Sequence, residues 1–206
     1  MDLINQTLLE NIKNSISDVV PKKKIGIAFS GGVDSTLVSK ICTDMGFDVV
    51  LLTIGFSESH DIIFSKEVNE HLNYSHYILE IDPETFPEIT SNIHKVIDTD
   101  NLSWNENCIA FHYVSKLAKS LNLDVVITGN GIDELFCGYN AYREAFIGGQ
   151  TKINEVMNSK LENELKMMKA VNVIASEFDV QILQPLLSAK FIEYAKTIPI
   201  TEKIHS

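Results

Sequence analysis

Over residues 2 to 20, apolar side chains recur every three or four positions, at Ile4, Leu8, Ile12, Ile16 and Val19. That spacing predicts one helical stripe, closed by Pro21. The period then changes. The unbroken run KIGIAF (24–29) predicts a buried strand, and Val33, Leu37, Val38, Ile41 and Met45 return to helical spacing as far as Gly46. DVVLLTIGF (48–56) predicts a second strand with a helix over about 60–72 behind it, and SHYILEI (75–81) a third strand. Pro83 and Pro87 interrupt 82–104, where short helices and loop are expected. A helix over about 106–121 carries Ala110, Val114, Leu117, Ala118 and Leu121, and DVVITG (124–129) predicts a fourth strand. From about 132 the pattern reads as helical throughout, broken at GGQT (148–151) and at Pro185. Its longest stripe is Leu161, Leu165, Met168, Ala175 and Phe178.

Strands that alternate with helices predict a parallel sheet covered on both faces, and right-handed crossovers make it doubly wound. The expected fold class is therefore α/β: a doubly wound, mostly parallel sheet with a helical C-terminal region over about 132–206. The 206 residues read as one domain. Ligands of such folds bind beyond the carboxyl ends of the strands, near the point where strand order reverses. The Gly-rich segments 30–35 and 128–133 each follow a predicted strand, so they should share one edge of the sheet.

Composition narrows the classes of partner. A net charge of −11 is poorly suited to gripping a nucleic-acid backbone, and the only basic run, Lys22-Lys23-Lys24, reads as a solvated lead-in to the first strand. No apolar run is long enough to span a bilayer, and MDLINQTLLENIK lacks the pattern of a signal peptide, so a cytoplasmic protein without membrane contact is expected. Cys42, Cys108 and Cys137 show no CxxC spacing. The histidines at 60, 71, 76, 94, 112 and 205 show no HxH or HxxxH clustering, so neither a zinc site nor a disulfide framework is expected.

The chemistry concentrates in Ser30-Gly31-Gly32-Val33-Asp34-Ser35, between the first strand and its helix. Glycines let the backbone approach a ligand, and the free N–H groups of the helix start favour an anion. Ser30, Ser35 and Thr36 add hydroxyls, while the GK[ST] ending of a Walker loop is absent. An aspartate inside an anion cradle is consistent only if a cation such as magnesium joins it. The plainer alternative is a glycine turn in which Asp34 serves the helix dipole.

SGGVDS resembles the pyrophosphate (PP) loop of the ATP-pyrophosphatase family, whose members split ATP into AMP and pyrophosphate. VVITGNGIDELFCGYNAY (125–142) is similar to the signature of asparagine synthetases, a strand running into Ser-Gly-Glu-Gly-x-Asp-Glu-Leu-Phe-Gly-Gly-Tyr. FDVQILQPLLSAKFIEYAKTIP (178–199) lies where those enzymes carry a later motif, and the resemblance covers about residues 8 to 203. It implies an adenine nucleotide alpha hydrolase-like fold and an ATP-dependent ligase or amidotransferase synthetase unit that adenylates a carboxylate or amide oxygen. ATP and Mg2+ would be the cofactors. Ser30, Gly31, Gly32, Asp34 and Ser35 would hold the pyrophosphate end, and main-chain groups at Phe29 and Ile54 the adenine. Thr128 and Gly129 would meet the ribose and α-phosphate, with Asp34 and Asp133 as metal carboxylates. Glu134 would support the site or simply serve its helix N-terminus.

Several positions depart from the pattern. Asn130 stands where the signature has its first glutamate, Glu106 where the family has an arginine near the phosphates, and Ser188 where the later motif ends in aspartate. Residue 2 is Asp rather than cysteine and no glutaminase domain precedes the ATP unit. The nitrogen for a small-molecule acceptor would therefore come from free ammonia or a separate glutaminase subunit. Lys203 is a poor positional substitute for the late lysine of relatives. Two other readings stay open: an ATP-binding subunit without turnover, and a PP-loop sulfurtransferase using Cys137 or Cys108, which is expected to start the helix before the fourth strand, where a thiol's pKa can be lowered. Trp104, Tyr139 and Tyr142 are pocket-wall or packing residues, and a homo-oligomer is allowed.

Overall fold

The computed structural model describes residues 3–204; Asp2 and His205 lie outside them. Five strands, β1 (Lys24–Ala28), β2 (Asp48–Gly55), β3 (Ser75–Glu80), β4 (Val125–Ile127) and β5 (Gln181–Leu183), form one sheet in the order β3-β2-β1-β4-β5. Every neighbouring pair is parallel. The helices are α1 (Leu3–Val19), α2 (Val33–Asp44), α3 (His60–Leu72), α4 (Phe86–Ile97), α5 (Leu102–Ser120), α6 (Ile132–Phe136), α7 (Asn140–Phe146), α8 (Gly149–Ser176) and α9 (Ala189–Thr197).

The chain steps outward from β1 to β3, then crosses back to β4 and on to β5. Right-handed crossovers put α2 and α3 on one face and α5 and α8 on the other. The packing agrees, because α1 lies on α2 and α5 on α8. Burial from both sides explains the long apolar runs: Ile25, Ile27, Leu51, Val126 and Ile127 are fully enclosed. Register pairs Ala28 with Leu52 and Ile27 with Ile127, so β1 and β4 end side by side at the switch between faces.

The structure differs from the periodicity in four places. The tail is not helical throughout, because Gln181–Leu183 pairs with β4; three residues are too short to show a period of their own. Residues assigned to short helices and loop contain a full helix, α4, in which Pro87 falls in the first turn, where a missing N–H costs nothing. Helix α5 starts four residues before 106, capped by Asn101, whose side chain accepts from Trp104 N–H at 3.2 Å. On α8 Leu165 is 40% exposed, whereas Glu164 occupies the buried line with Leu161 and Met168.

Candidate functional site

The cleft begins where β1 stops. Phe29 N–H donates to the Leu52 carbonyl at 2.9 Å, the last rung between the two strands. The Phe29 carbonyl accepts from Thr53 Oγ1 at 2.6 Å, and that hydroxyl lies 2.8 Å from His76 Nε2. The Phe29 ring is buried, edge-on to His76. On β2, Gly55 C=O accepts from Ile81 on the β3 side. By the alternation of a parallel ladder, the main-chain groups of Ile54 then face the β1 side, past its last rung and beside the cleft.

The next six residues turn into α2. Gly31 has φ +80°, and a Cβ there would stand 3.1 Å from the Phe64 ring and from Ser65 Cα, so only glycine lets the loop lie on α3. Gly32 N-caps the helix, and its N–H reaches Ser30 Oγ at 3.3 Å. Ser35 Oγ donates to the Gly32 carbonyl and Thr36 Oγ1 to that of Gly31, each at 3.2 Å. Ser30, Asp34 and Ser35 line the cleft; Gly31, Gly32 and Thr36 shape the loop behind it.

The second segment arrives from β4. Thr128 is buried, and its N–H donates to Leu183 C=O at 3.1 Å, so the unforeseen β5 steadies this strand end. Gly129 packs on Asp34, leaving 3.1 Å between the Asp34 Cβ and a Cβ built on the glycine. Asp133 and Glu134 occupy the first turn of α6, where acids complement the free N–H groups. Glu134 is buried: its carboxylate accepts from Gly131 N–H at 3.0 Å and from Tyr139 OH, and its carbonyl from Tyr142 OH at 2.5 Å. It braces the loop with every acceptor occupied.

Sequence reasoning missed Glu164. This α8 residue is 6% exposed, lines the cleft, and accepts through Oε1 from Asn130 Nδ2 at 2.6 Å. Asn130 is held in turn by Thr128, whose hydroxyl it accepts from and to whose oxygen its N–H donates at 2.9 Å. The sequence held no signal for it, because a stripe drawn through Leu161, Leu165 and Met168 leaves Glu164 as a polar interruption.

The walls enclose a cleft of about 400 Å³ lined by Asp34, Asp61, Asp133, Glu134 and Glu164, with no lysine or arginine. Burial and, after it, charge crowding raise two of these carboxyls. Burial, then Asp133 and Glu134, push the Asp34 carboxyl up to about 6. Burial and then Glu134 raise Glu164 to about 7, while the Asn130 amide pulls the other way. Tyr139 and Tyr142 are driven above the usual phenol range, chiefly by burial.

Other expected participants lie elsewhere. Glu106 is exposed on α5 and does not line the cleft, so its charge leaves the cleft wall unchanged. Trp104 donates through Nε1 to Asn163 Oδ1 at 3.0 Å and packs outside the cleft; Tyr139 lines it and Tyr142 is fully buried behind it. Cys108 does not open a helix: it sits within α5, fully buried, its thiol pushed up to about 11 by burial. Cys137 ends α6 and its thiol is also raised by burial. Neither is an activated nucleophile. Lys203 donates to the Ala195 carbonyl at 2.6 Å, outside the cleft lining. Among the described residues, no group of three or more His, Cys, Asp or Glu is arranged to hold a metal ion, and no helix is long and apolar enough to cross a membrane.

The chain is 29% identical over 199 residues to a putative glutamine-hydrolyzing asparagine synthetase of Methanocaldococcus jannaschii, covering 94% of this chain and 36% of that protein. It is 21% identical over 208 residues to the glutamine-hydrolyzing asparagine synthetase of Homo sapiens, with the same 94% and 36% coverage. It thus spans little more than a third of these relatives' length. Among solved structures, NMN synthetase from Francisella tularensis aligns with a TM-score of 0.47 at 18% identity, over 95% of this chain and 93% of that one. The asparagine synthase family model matches residues 7–180, the greater part of the sequence, and the chain belongs to the asparagine synthase family.

Proposed function

We propose that this chain is the ATP-using synthetase unit of a carbon–nitrogen ligase, which activates a carboxylate or amide oxygen by adenylation and releases pyrophosphate. The observation that carries this reading is the contact of Gly129 with Asp34, which brings the two Gly-rich loops together at the ends of β1 and β4. Ser30, Gly32 and Ser35, with the free N–H groups at the start of α2, would receive the β- and γ-phosphates, and Gly31 would set the loop's course. Thr128 and Gly129 would border the ribose and α-phosphate. The main-chain groups of Ile54, which face the β1 side past its last rung, would take the adenine edge, whereas those of Phe29 are engaged by Leu52 and Thr53.

Asp34 and Asp133 would hold magnesium. The residues fit that ion: both offer hard oxygen donors, and Asp34, raised first by burial and then by Asp133 and Glu134, faces like charge that a cation would offset. Magnesium bound there would neutralise phosphate charge and stabilise the departing pyrophosphate. The acceptor's oxygen attacks the α-phosphorus, the bond to the bridging oxygen breaks, and a nitrogen nucleophile then displaces AMP. The chain's contribution is orientation and charge placement. Nitrogen would come from ammonia, either free or delivered by a glutaminase.

A second reading, ATP binding without turnover, is favoured by Asn130 in place of the signature's glutamate. The test is pyrophosphate release from ATP and magnesium with and without a panel of carboxylates plus ammonium, with Asp34→Ala as control. Carboxylate-dependent release that disappears in the variant is the expected result. Tight ATP binding with no release under any condition would replace the ligase by the binding subunit.

A further inference from the structure

Of the two buried acids in the cleft wall, Glu134 and Glu164, the fold uses up only the first. Glu134 has both carboxylate oxygens occupied, whereas Glu164 shares only Oε1, with Asn130. Its Oε2 has no hydrogen-bond or ion-pair partner among the described residues, although the side chain is 6% exposed and borders the cleft. Keeping a carboxylate so largely withdrawn from water ionised is costly, and packing alone would favour leucine or methionine at this point of α8. A ligand that donates hydrogen bonds and carries positive charge would satisfy it. No described lysine or arginine lines the cleft to do so, and Lys160, one turn earlier on the same helix, lies over the Tyr139 ring at 4.8 Å.

We propose that Glu164, oriented by Asn130, is the seat of the nitrogen nucleophile, an ammonium ion or a small primary amine, and that Oε2 accepts its proton. This rests on the ligase reading above. Ammonium donates to Oε2 and loses one proton to it. The nitrogen lone pair then forms the C–N bond to the acyl-adenylate, the C–O bond to the phosphate breaks, and its electron pair leaves with AMP. The second proton passes from the adduct's nitrogen to solvent. The Asn130 amide, tied to Thr128 on one side and Glu164 on the other, fixes the carboxylate's direction. The acid that the asparagine synthetase signature carries in the loop is here supplied from α8. A carboxyl that burial and Glu134 raise to about 7 is matched to proton exchange near neutrality.

Two measurements on the full chain decide this. The first follows thermal unfolding of the wild type and Glu164→Gln in ammonium chloride, against sodium and tetramethylammonium chlorides at equal ionic strength. A saturating, ammonium-specific rise in midpoint is expected in the wild type only. A wild type that treats the three salts alike, or a variant that keeps the rise, overturns the proposal. The second compares ammonium with hydroxylamine, which is largely unprotonated at neutral pH, as nucleophile for whichever carboxylate supports pyrophosphate release. Glu164→Gln should lower the ammonium-to-hydroxylamine rate ratio by about 10²-fold; an unchanged ratio overturns the assignment. If the wild type releases no pyrophosphate with any carboxylate, the ligase reading fails, and the salt titration alone still decides whether Glu164 binds ammonium.

Discussion

A Cβ built on Gly129 stands 3.1 Å from the Asp34 Cβ and 3.2 Å from the Asp34 carbonyl carbon. The end of β4 therefore meets the first turn of α2 backbone to backbone. Two loops separated by nearly a hundred residues become one wall, and burial there, with Asp133 and Glu134 adding to it, raises the Asp34 carboxyl to about 6. The switch in crossover face between β1 and β4 opens the crevice, and the missing side chain at Gly129 lets its two sides close on the same ligand.

Gly129→Ala tests that contact. The added methyl would press on backbone atoms of Asp34, which cannot rotate away. The expected cost is about 1–3 kcal/mol in urea denaturation. Calorimetry should show Mg·ATP affinity falling by more than the loss of folded protein explains. A variant with unchanged stability and affinity would show that the loops can separate freely.

Stability should fall as pH rises from about 4 to 8. Asp34 and Glu164 titrate near 6 and 7 when folded, against ordinary values of 3.8 and 4.5. Between those limits the folded state holds protons that the unfolded chain has released, so raising pH favours unfolding. Glu164→Gln should flatten the upper part of the curve and gain about 2 kcal/mol at pH 8, with a smaller gain from Asp34→Asn because that group is half-exposed. Chemical denaturation at pH 5 and pH 8 reads this directly. Stability that rises over the interval would show that cations already neutralise both acids.

The sheet, its order of elements and the position of both loops were legible because strands buried on two faces and amphipathic helices leave different periods. The short β5 was not, since three residues paired to β4 carry no period. Glu164 was hidden for a related reason: within the α8 stripe a glutamate reads as a solvated interruption, and Leu165 looks like the core residue. Only the fold shows that the acid is the enclosed one and that it meets Asn130, 34 positions away. The start of α5 was misplaced because its cap, Asn101, lies in a stretch read as loop, and this also made Cys108 look like a helix-terminal thiol.

Removing divalent cations should separate the nucleotide from the site. With Asp34 and Asp133 facing phosphate and no basic residue in the lining, EDTA is expected to weaken ATP binding at least ~10-fold. Without metal, Asp133→Asn should bind ATP as well as the wild type or better; with magnesium it should bind worse. This crossing of effects, measured by fluorescence displacement, distinguishes a metal ligand from a residue that merely holds the loop. Parallel losses in both conditions would refute the magnesium assignment.

The cysteines should be dispensable for turnover. Cys108 is enclosed within α5 and its thiol is raised to about 11, while Cys137 is raised by burial with only Lys203 opposing. A thiol so far above neutrality supplies almost no thiolate. Cys137→Ser should keep pyrophosphate release within about 3-fold of the wild type, and Cys108→Ala should do so with about 1 kcal/mol lost to packing. Abolished activity in a folded variant would revive a sulfur-transfer chemistry.

Gly138→Ala addresses Asp133 without altering its chemistry. A Cβ on Gly138 would collide with Asp133 Oδ1 and crowd Cγ, while the Gly138 N–H donates to the Asp133 carbonyl at 2.9 Å. The two closest atoms belong to a side chain that can rotate, only Asp133 Cα at 3.1 Å is backbone, and Gly138 is exposed, so the fold should lose about 1 kcal/mol. The carboxylate, however, must leave the position it holds beside the cleft. Mg·ATP affinity is expected to fall about 10-fold, and raising magnesium should recover part of it, because the ligand is displaced rather than removed. Asp133→Asn should show no such recovery. If Gly138→Ala binds Mg·ATP like the wild type, the Asp133 carboxylate has no required direction, and magnesium is held by Asp34 without it.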